Sequence, residues 1–134
     1  MARVLAPLGY QVTVFDGETR AGGFMHQQIP RFRLPESVIE EETGYIFDLG
    51  VEFRPGERID SMRALLAQGW DAVFVGSGAP RGRDLQIPGR QEAAAHIHIG
   101  IDWLASVSFG HVKSVGKRVI VLGGGNTAMD CCRS

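Results

Sequence analysis

A glycine-rich turn between a β-forming run and a helix constrains the fold of this chain more than any other feature. Residues 118–122 (RVIVL) predict a strand, and residues 123–128 (GGGNTA) follow it with the spacing G-x-G-x-x-A. In a dinucleotide-binding fold Gly123 makes the tight turn, Gly125 lets a pyrophosphate approach the backbone, and Ala128 allows close helix packing. The motif therefore predicts a dinucleotide site, with a glycine-rich turn that binds no ligand as the alternative.

Strand and helix signals alternate along the rest of the chain. The β-forming runs are residues 11–15, 51–54, 71–75 and 118–122, and the helical segments are 1–8, 35–49, 61–67, 92–106 and the segment after Gly125. This alternation predicts an α/β chain with Rossmann-like, doubly wound parallel sheets. Because turn-rich residues 80–90 separate two strand-then-glycine units, we expect two incomplete dinucleotide-binding units.

An acid at the end of the first strand is a second site candidate. Residues 11–15 predict a strand that ends at Asp16. The acid that ends the second strand of a dinucleotide fold accepts hydrogen bonds from the ribose hydroxyls. An ordinary turn aspartate before Gly17 is the alternative, and the residues alone favour neither interpretation.

Two further loops have a composition that suits a binding role. Residues 76–78 (GSG) follow the predicted strand 71–75, but Pro80 follows instead of a helix, which fits the close passage of backbone beside a flat ligand. Residues 17–34 form a long irregular loop, and loops of that length are often functional. A plain connection and a loop that covers the core are the respective alternatives.

Charge and composition narrow the function classes. A formal net charge of −1 favours neither nucleic acid nor an anionic membrane as a partner. The adjacent Cys131 and Cys132 cannot form a secreted-type disulfide framework and are typical of reduced thiols in a cytoplasmic protein. His96 and His98 lack a nearby third ligand, so no metal is expected. No acid–base constellation stands out, and no catalytic side chain is assigned.

Five stretches in this order resemble the small (beta) subunit of NADPH-dependent glutamate synthase. They also resemble related FAD- and NAD(P)-binding oxidoreductases of the pyridine nucleotide–disulfide type. The stretches are residues 8–16 (LGYQVTVFD), 22–35 (with GG, IP and RLP), 71–78 (DAVFVGSG), 87–89 (IPG) and 121–131 (VLGGGNTAMDC). The resemblance covers nearly the whole chain and implies a fragment of a larger protein.

The resemblance implies a domain organisation and a reaction. Residues 1–85 would be a partial FAD-binding domain without its first strand and glycine loop, and residues 91–134 would begin an inserted NAD(P)H-binding domain. Hydride would pass from NAD(P)H to FAD, and electrons would go on to a partner subunit or domain. A truncated, non-catalytic nucleotide-binding module is the alternative. We expect the isolated chain to bind nucleotide weakly and not to oxidise NAD(P)H alone.

The resemblance also implies a set of cofactor ligands. The set is Asp16, Arg20, Gly22, Gly23, Gly76, Ser77, Gly78, Gly123, Gly124, Gly125, Asn126 and Thr127. Asp16 would bind the adenosine ribose of FAD, with the Gly22–Gly23 pair near the flavin and residues 76–78 beside FAD. The turn after residue 122 would hold the pyrophosphate of the nicotinamide cofactor. The residues that would choose between NAD and NADP lie past Ser134.

Overall fold

A computed structural model describes all 134 residues, and the chain divides into two compact units. Unit 1 comprises residues 1–23 and 36–77, and unit 2 comprises residues 24–35 and 78–134. The segment 24–35 therefore belongs to unit 2, although its neighbours in sequence on both sides belong to unit 1. The expected assignment of one cofactor to each half of the chain stays a prediction.

Unit 1 contains a two-stranded parallel sheet. Strand β1 (Thr13–Asp16) pairs with β2 (Glu52–Pro55) in a register that sets Thr13 opposite Glu52 and Asp16 opposite Pro55. A parallel pair needs a long crossover, and the connection here includes helix α3 (Glu36–Phe47). The expected mixed α/β class is confirmed.

The helix ends of unit 1 follow local sequence signals. Helix α1 (Ala2–Leu5) continues into a 3₁₀ helix (Ala6–Leu8), which stops at Gly9, whose φ of 89° favours glycine. Helix α4 (Met62–Leu66) begins after Ser61, whose hydroxyl accepts a hydrogen bond from the backbone N–H of Ala64 at 3.2 Å. The helices predicted over residues 1–8 and 61–67 are thus present, and a glycine stop and a serine cap set one end of each.

The core of unit 1 is small and includes two aromatic pairs. Its buried apolar side chains are Ile39, Val51 and Leu65. The Phe15 ring meets Trp70 edge-on with centroids 5.7 Å apart, and Phe47 stacks on Phe53 at 4.9 Å. Both strands thus contribute one aromatic ring to the packing of the unit.

The predicted strands at residues 71–75 and 118–122 do not form. Phe74 is 68% exposed and Ile120 is 86% exposed, and neither run pairs with another strand. A parallel strand needs a neighbour for its N–H and C=O groups, because β-forming side chains alone do not satisfy them. The structure therefore has one two-stranded sheet, and no doubly wound sheet is seen.

Unit 2 is built from helices and loops. Its elements are helix α2 (Phe24–Gln27), a 3₁₀ helix (Ala94–His96), helix α5 (Gly100–Ser108) and helix α6 (Asn126–Arg133). The helix expected over residues 92–106 is divided, because Ile97 and Ile99 are extended. None of the helices in either unit has the length and apolar character that a bilayer crossing requires.

Helices α5 and α6 pack closely through a glycine. A Cβ atom on Gly100 would lie 3.3 Å from the Sγ of Cys131 and 3.4 Å from the Cγ2 of Thr127. The Cys131 thiol donates to the Gly100 carbonyl at 3.6 Å, and burial raises the pKa of this thiol. Leu104 and Ala128 are the buried apolar side chains of the two helices. The absence of a side chain at Gly100 thus allows the two helices to approach closely.

Candidate functional site

The glycine turn before α6 has the geometry that its sequence spacing suggests. Gly123 has a φ of 141°, which L-residues rarely adopt, and a Cβ there would lie 3.3 Å from the Cβ of Ala128. Gly125 has a φ of −87°, and no heavy atom lies within 4 Å of its Cβ position. Gly123 is therefore required by the turn itself, whereas Gly125 leaves space at the start of the helix.

The first turn of α6 can receive an anion. Gly125 is the N-cap, no side chain caps the helix, and the first intrahelical bond runs from Met129 N–H to the Gly125 carbonyl at 3.1 Å. The N–H groups of Asn126 and Thr127 are thus among those that a helix leaves without an internal partner. Together with the positive end of the helix dipole, they suit a phosphate group. The open space at Gly125 is what a pyrophosphate in this position needs.

Asp16 lies half-buried at the carboxyl end of β1. Its Oδ1 accepts a hydrogen bond from the backbone N–H of Glu18 at 3.0 Å. This contact makes Asp16 a turn aspartate, which was the alternative considered from sequence. The contact leaves a role in ribose binding open, because a carboxylate has several acceptor positions. The ribose role stays a prediction.

Arg20 is engaged by acidic side chains of α3. Its guanidinium forms ion pairs with Glu36 and with Glu40, the latter at 2.6 Å, and its side chain is 55% exposed. These contacts tie the loop after β1 to α3 and balance the charge of the arginine. A cofactor phosphate at Arg20 would have to compete with two carboxylates.

The remaining expected FAD ligands lie in glycine-rich turns. Gly22 and Gly23 have φ values of 117° and 48°, so the backbone of this turn requires glycine. A Cβ on Gly76 would approach the Phe74 ring to 3.1 Å, and Gly78 has a φ of 69°. Ser77 is exposed between them. These turns have structural reasons for glycine that hold with or without a ligand.

The two sets of expected ligands are distributed over the two units. Unit 2 brings Gly123, Gly124, Gly125, Asn126 and Thr127 together in one turn and helix start. Unit 1 holds Asp16, Arg20, Gly22, Gly23, Gly76 and Ser77, and the structure gives Asp16 and Arg20 different partners. The last expected FAD ligand, Gly78, belongs to unit 2. The nicotinamide set is thus the one whose members form a single local feature.

The sequence did not point to an ion pair that lies beside this feature. Arg33 Nη1 donates to Asp130 Oδ2 at 2.5 Å, and the Asp130 side chain is only 8% exposed. The hydrogen bond to Asp130, and then its charge, raise the pKa of the Arg33 guanidinium. The two residues are 97 positions apart, so no local sequence signal links them.

Other polar contacts fix the same loop inside unit 2. Arg31 Nη2 donates to the carbonyl of His26 at 2.7 Å, and both His26 and Gln28 are buried. The Oε1 atom of Gln28 and the Nη1 atom of Arg31 are buried without a hydrogen-bond partner. The bond from Arg31 to His26 holds the conformation of segment 24–35, whereas the two unpartnered atoms carry a desolvation cost.

Comparison with known proteins relates the chain to a group of oxidoreductases. No protein-family model matches the sequence. Individual proteins, however, are similar over almost the entire chain. The glutamate synthase [NADPH] small chain of Azospirillum brasilense is 35% identical over 99% of the chain. The NADP(+)-dependent formate dehydrogenase subunit beta of Moorella thermoacetica is 35% identical over 97%, and the NADPH-Fe(3+) oxidoreductase subunit beta of Geobacter sulfurreducens is 34% identical over 98%.

The chain is related to the glutamate synthase [NADPH] small chain and to similar NADPH-dependent oxidoreductase subunits. It spans 30%, 19% and 20% of the length of these three relatives, respectively. The resemblance inferred from five ordered stretches is therefore confirmed, and the chain corresponds to a segment of these larger oxidoreductases.

Proposed function

We propose that this chain is part of a flavin module in which NAD(P)H passes a hydride to FAD and the electrons continue to a partner subunit or domain. The turn before α6 carries the proposal. It combines an obligatory Gly123, an open Gly125 and an uncapped helix start, which together suit a dinucleotide pyrophosphate.

The names of the relatives support the nicotinamide part of this proposal. All three include NADPH or NADP(+), although one is a glutamate synthase chain, one a formate dehydrogenase subunit and one an Fe(3+) oxidoreductase subunit. A segment that such different enzymes share is expected to serve what they have in common. We therefore assign residues 91–134 to an NAD(P)H-binding domain and Gly123–Thr127 to its pyrophosphate site.

The FAD part rests on the position of Asp16. In open α/β sheets ligands bind beyond the carboxyl ends of the strands, and Asp16 is the last residue of β1. We therefore assign residues 1–85 to an FAD-binding domain whose full sheet would be doubly wound. Asp16 would accept hydrogen bonds from the ribose, and the turns at Gly22–Gly23 and at residues 76–78 would pass close to the cofactor.

In this proposal the protein and the cofactors have separate roles. The cofactors supply the redox chemistry, so the protein needs only to bind and orient them. Main-chain N–H groups at the start of α6 would hold phosphate oxygens, and the space beside Gly125 would admit them.

A nuclear magnetic resonance titration tests the nicotinamide assignment. The ¹⁵N-labelled chain is titrated with NADPH and with NADH, because chemical shifts detect even millimolar binding. We expect shifts at the amides of residues 123–128, and we expect Gly125→Val to remove them. The reason is that a side chain at Gly125 would occupy the open space without straining the backbone, whose φ is −87°.

Gly116→Val is the matched control for this titration. Gly116 is exposed, lies outside the turn, and has no heavy atom within 4 Å of its Cβ position. The control should keep the shifts of the unmodified chain. Shifts that persist in Gly125→Val would remove the turn from the nucleotide site, and an unmodified chain without shifts would reject the nicotinamide assignment.

A flavin experiment tests the second cofactor. The chain is titrated with FAD, and we expect shifts near Asp16 that weaken in Asp16→Asn. The chain by itself is not expected to retain FAD through desalting or to oxidise NADPH. Shifts confined to residues outside Asp16 and the turns of unit 1 would reject the FAD assignment. Nucleotide binding without any FAD shift would favour the non-catalytic module.

A further inference from the structure

Helix α6 carries a buried acid one turn behind its candidate ligands. Asp130 follows Asn126 by four residues, which places it about 6 Å further along the helix axis. Its side chain is 8% exposed, and its carboxylate accepts from Arg33 at 2.5 Å. Buried carboxylates are costly without a cationic partner, so Arg33 is needed for this arrangement.

A second contact joins the same helix to the same loop. The Arg133 guanidinium lies over the Phe32 ring, 4.5 Å from the centroid. Arg133 follows Asp130 by three residues, so both lie on one face of α6, and Phe32 and Arg33 are neighbours in the loop. Helix α6 therefore contacts the loop at two adjacent residues, Phe32 and Arg33.

These contacts matter because α6 is short. It has eight residues, fewer than the roughly 12–15 that an isolated helix needs to persist in water. Its orientation must come from tertiary contacts, which are the packing against α5 through Gly100 and the contacts to residues 32–33. Because the first turn of α6 is part of this short helix, the same contacts fix the position of its N–H groups.

We propose that Arg33 and Asp130 are positioning residues for the pyrophosphate of the nicotinamide nucleotide. Their ion pair holds the first turn of α6 in place and cancels a negative charge that would otherwise oppose an anion at that turn. Neither residue touches the nucleotide in this arrangement. The inference rests on the proposed nucleotide site at Gly123–Thr127.

A double-mutant cycle that removes the charges of Arg33 and Asp130 tests the positioning role, with the same NADPH titration as the measurement. Arg33→Gln leaves a buried negative charge near the phosphates, and we expect it to weaken NADPH binding by about tenfold, because the like charge is no longer cancelled and the first turn of α6 is held less firmly. Asp130→Asn should weaken binding less, because it removes the opposing charge together with the pair. The double variant Arg33→Gln/Asp130→Asn should bind better than Arg33→Gln alone, and Arg33→Lys should recover part of the affinity.

Hydrogen exchange supplies a readout that does not depend on nucleotide. Amides of residues 126–133 should exchange faster in Arg33→Gln than in the unmodified chain. Arg58→Gln is the control, because Arg58 forms an ion pair with Asp60 in which both side chains are 80% exposed. This control should change neither exchange in α6 nor NADPH binding.

Three outcomes separate the two proposals. Normal NADPH shifts in Arg33→Gln and in the double variant, with unchanged exchange in α6, would overturn the positioning role and leave the nucleotide site intact. Equal affinities in Arg33→Gln and the double variant would overturn the charge argument. An unmodified chain that shows no NADPH shifts would reject the nucleotide site and, with it, the positioning role.

Discussion

Strand β1 and residues 118–122 have similar sequences, but only β1 is part of a sheet. Both runs are rich in β-branched side chains, and each leads into a proposed cofactor ligand. The residues of β1 are half-buried and paired with β2, whereas Ile120 is exposed and its run has no strand partner. Composition thus sets a tendency to extend, and a neighbouring strand decides whether a sheet forms.

The turn that follows each run forms whether or not the run belongs to a sheet. Gly123 and Ala128 form their close contact, and α6 begins at Asn126, although the run before them is in no sheet. Asp16 makes its turn contact to Glu18 in a unit with a sheet. The conformation of residues 123–128 is therefore local, whereas the placement of this turn depends on the contacts of α6 with α5 and with residues 32–33.

The largest difference between the two runs should appear in hydrogen exchange. Amides that bridge β1 and β2 should exchange at least about a hundredfold more slowly than those of residues 118–122, because paired amides need a local opening to exchange. Mass spectrometry of peptides from a timed exchange would measure this. Slow exchange in both runs would mean that residues 118–122 are paired in solution, and fast exchange in both would mean that the β1–β2 pair does not persist.

Side-chain truncation should lower the free energy of unfolding more in the paired region than in residues 118–122. Phe53 of β2 stacks on Phe47, and Phe53→Ala should destabilise unit 1 by about 1–3 kcal/mol through lost burial and ring contact. The exposed Ile120 serves as the comparison, and Ile120→Ala should change stability by less than about 0.5 kcal/mol. Urea unfolding followed by tryptophan fluorescence would report both. A comparable loss in Ile120→Ala would show that residues 118–122 are packed.

A smaller effect is expected from acid. The Glu52 carboxylate accepts from Arg54 Nε at 2.9 Å and from Thr13 Oγ1 at 2.8 Å, and these bonds hold the pKa of Glu52 below its usual value. A carboxyl with a lowered folded-state pKa stabilises the fold above its unfolded pKa, and the stabilisation is lost as pH falls through the folded value.

Urea midpoints measured between neutral and acidic pH would test this. Glu52→Gln should reduce the loss of stability of unit 1 in acid, and Asp48→Asn, at an exposed position just after α3, is the control. An acid response that is identical in the unmodified chain and in Glu52→Gln would show that this bridge between the strands contributes nothing.

Much of the local structure could be predicted from neighbouring residues. The stop at Gly9, the cap at Ser61, the start of α3 after Pro35 and the turn from Gly123 to Ala128 each depend on groups within a few positions. The proposed nucleotide turn belongs to this class, because its φ angles and its helix start are set by glycines in fixed order. For such features the sequence is sufficient.

Other features were decided only when distant segments met. Nothing near residues 71–75 or 118–122 reveals that these runs lack a strand partner, and nothing near Arg33 reveals Asp130. The membership of residues 24–35 in unit 2 is of the same kind. Pairing and burial depend on which segments lie side by side, and the free energy of a strand or a buried charge comes from that neighbour rather than from its own residues.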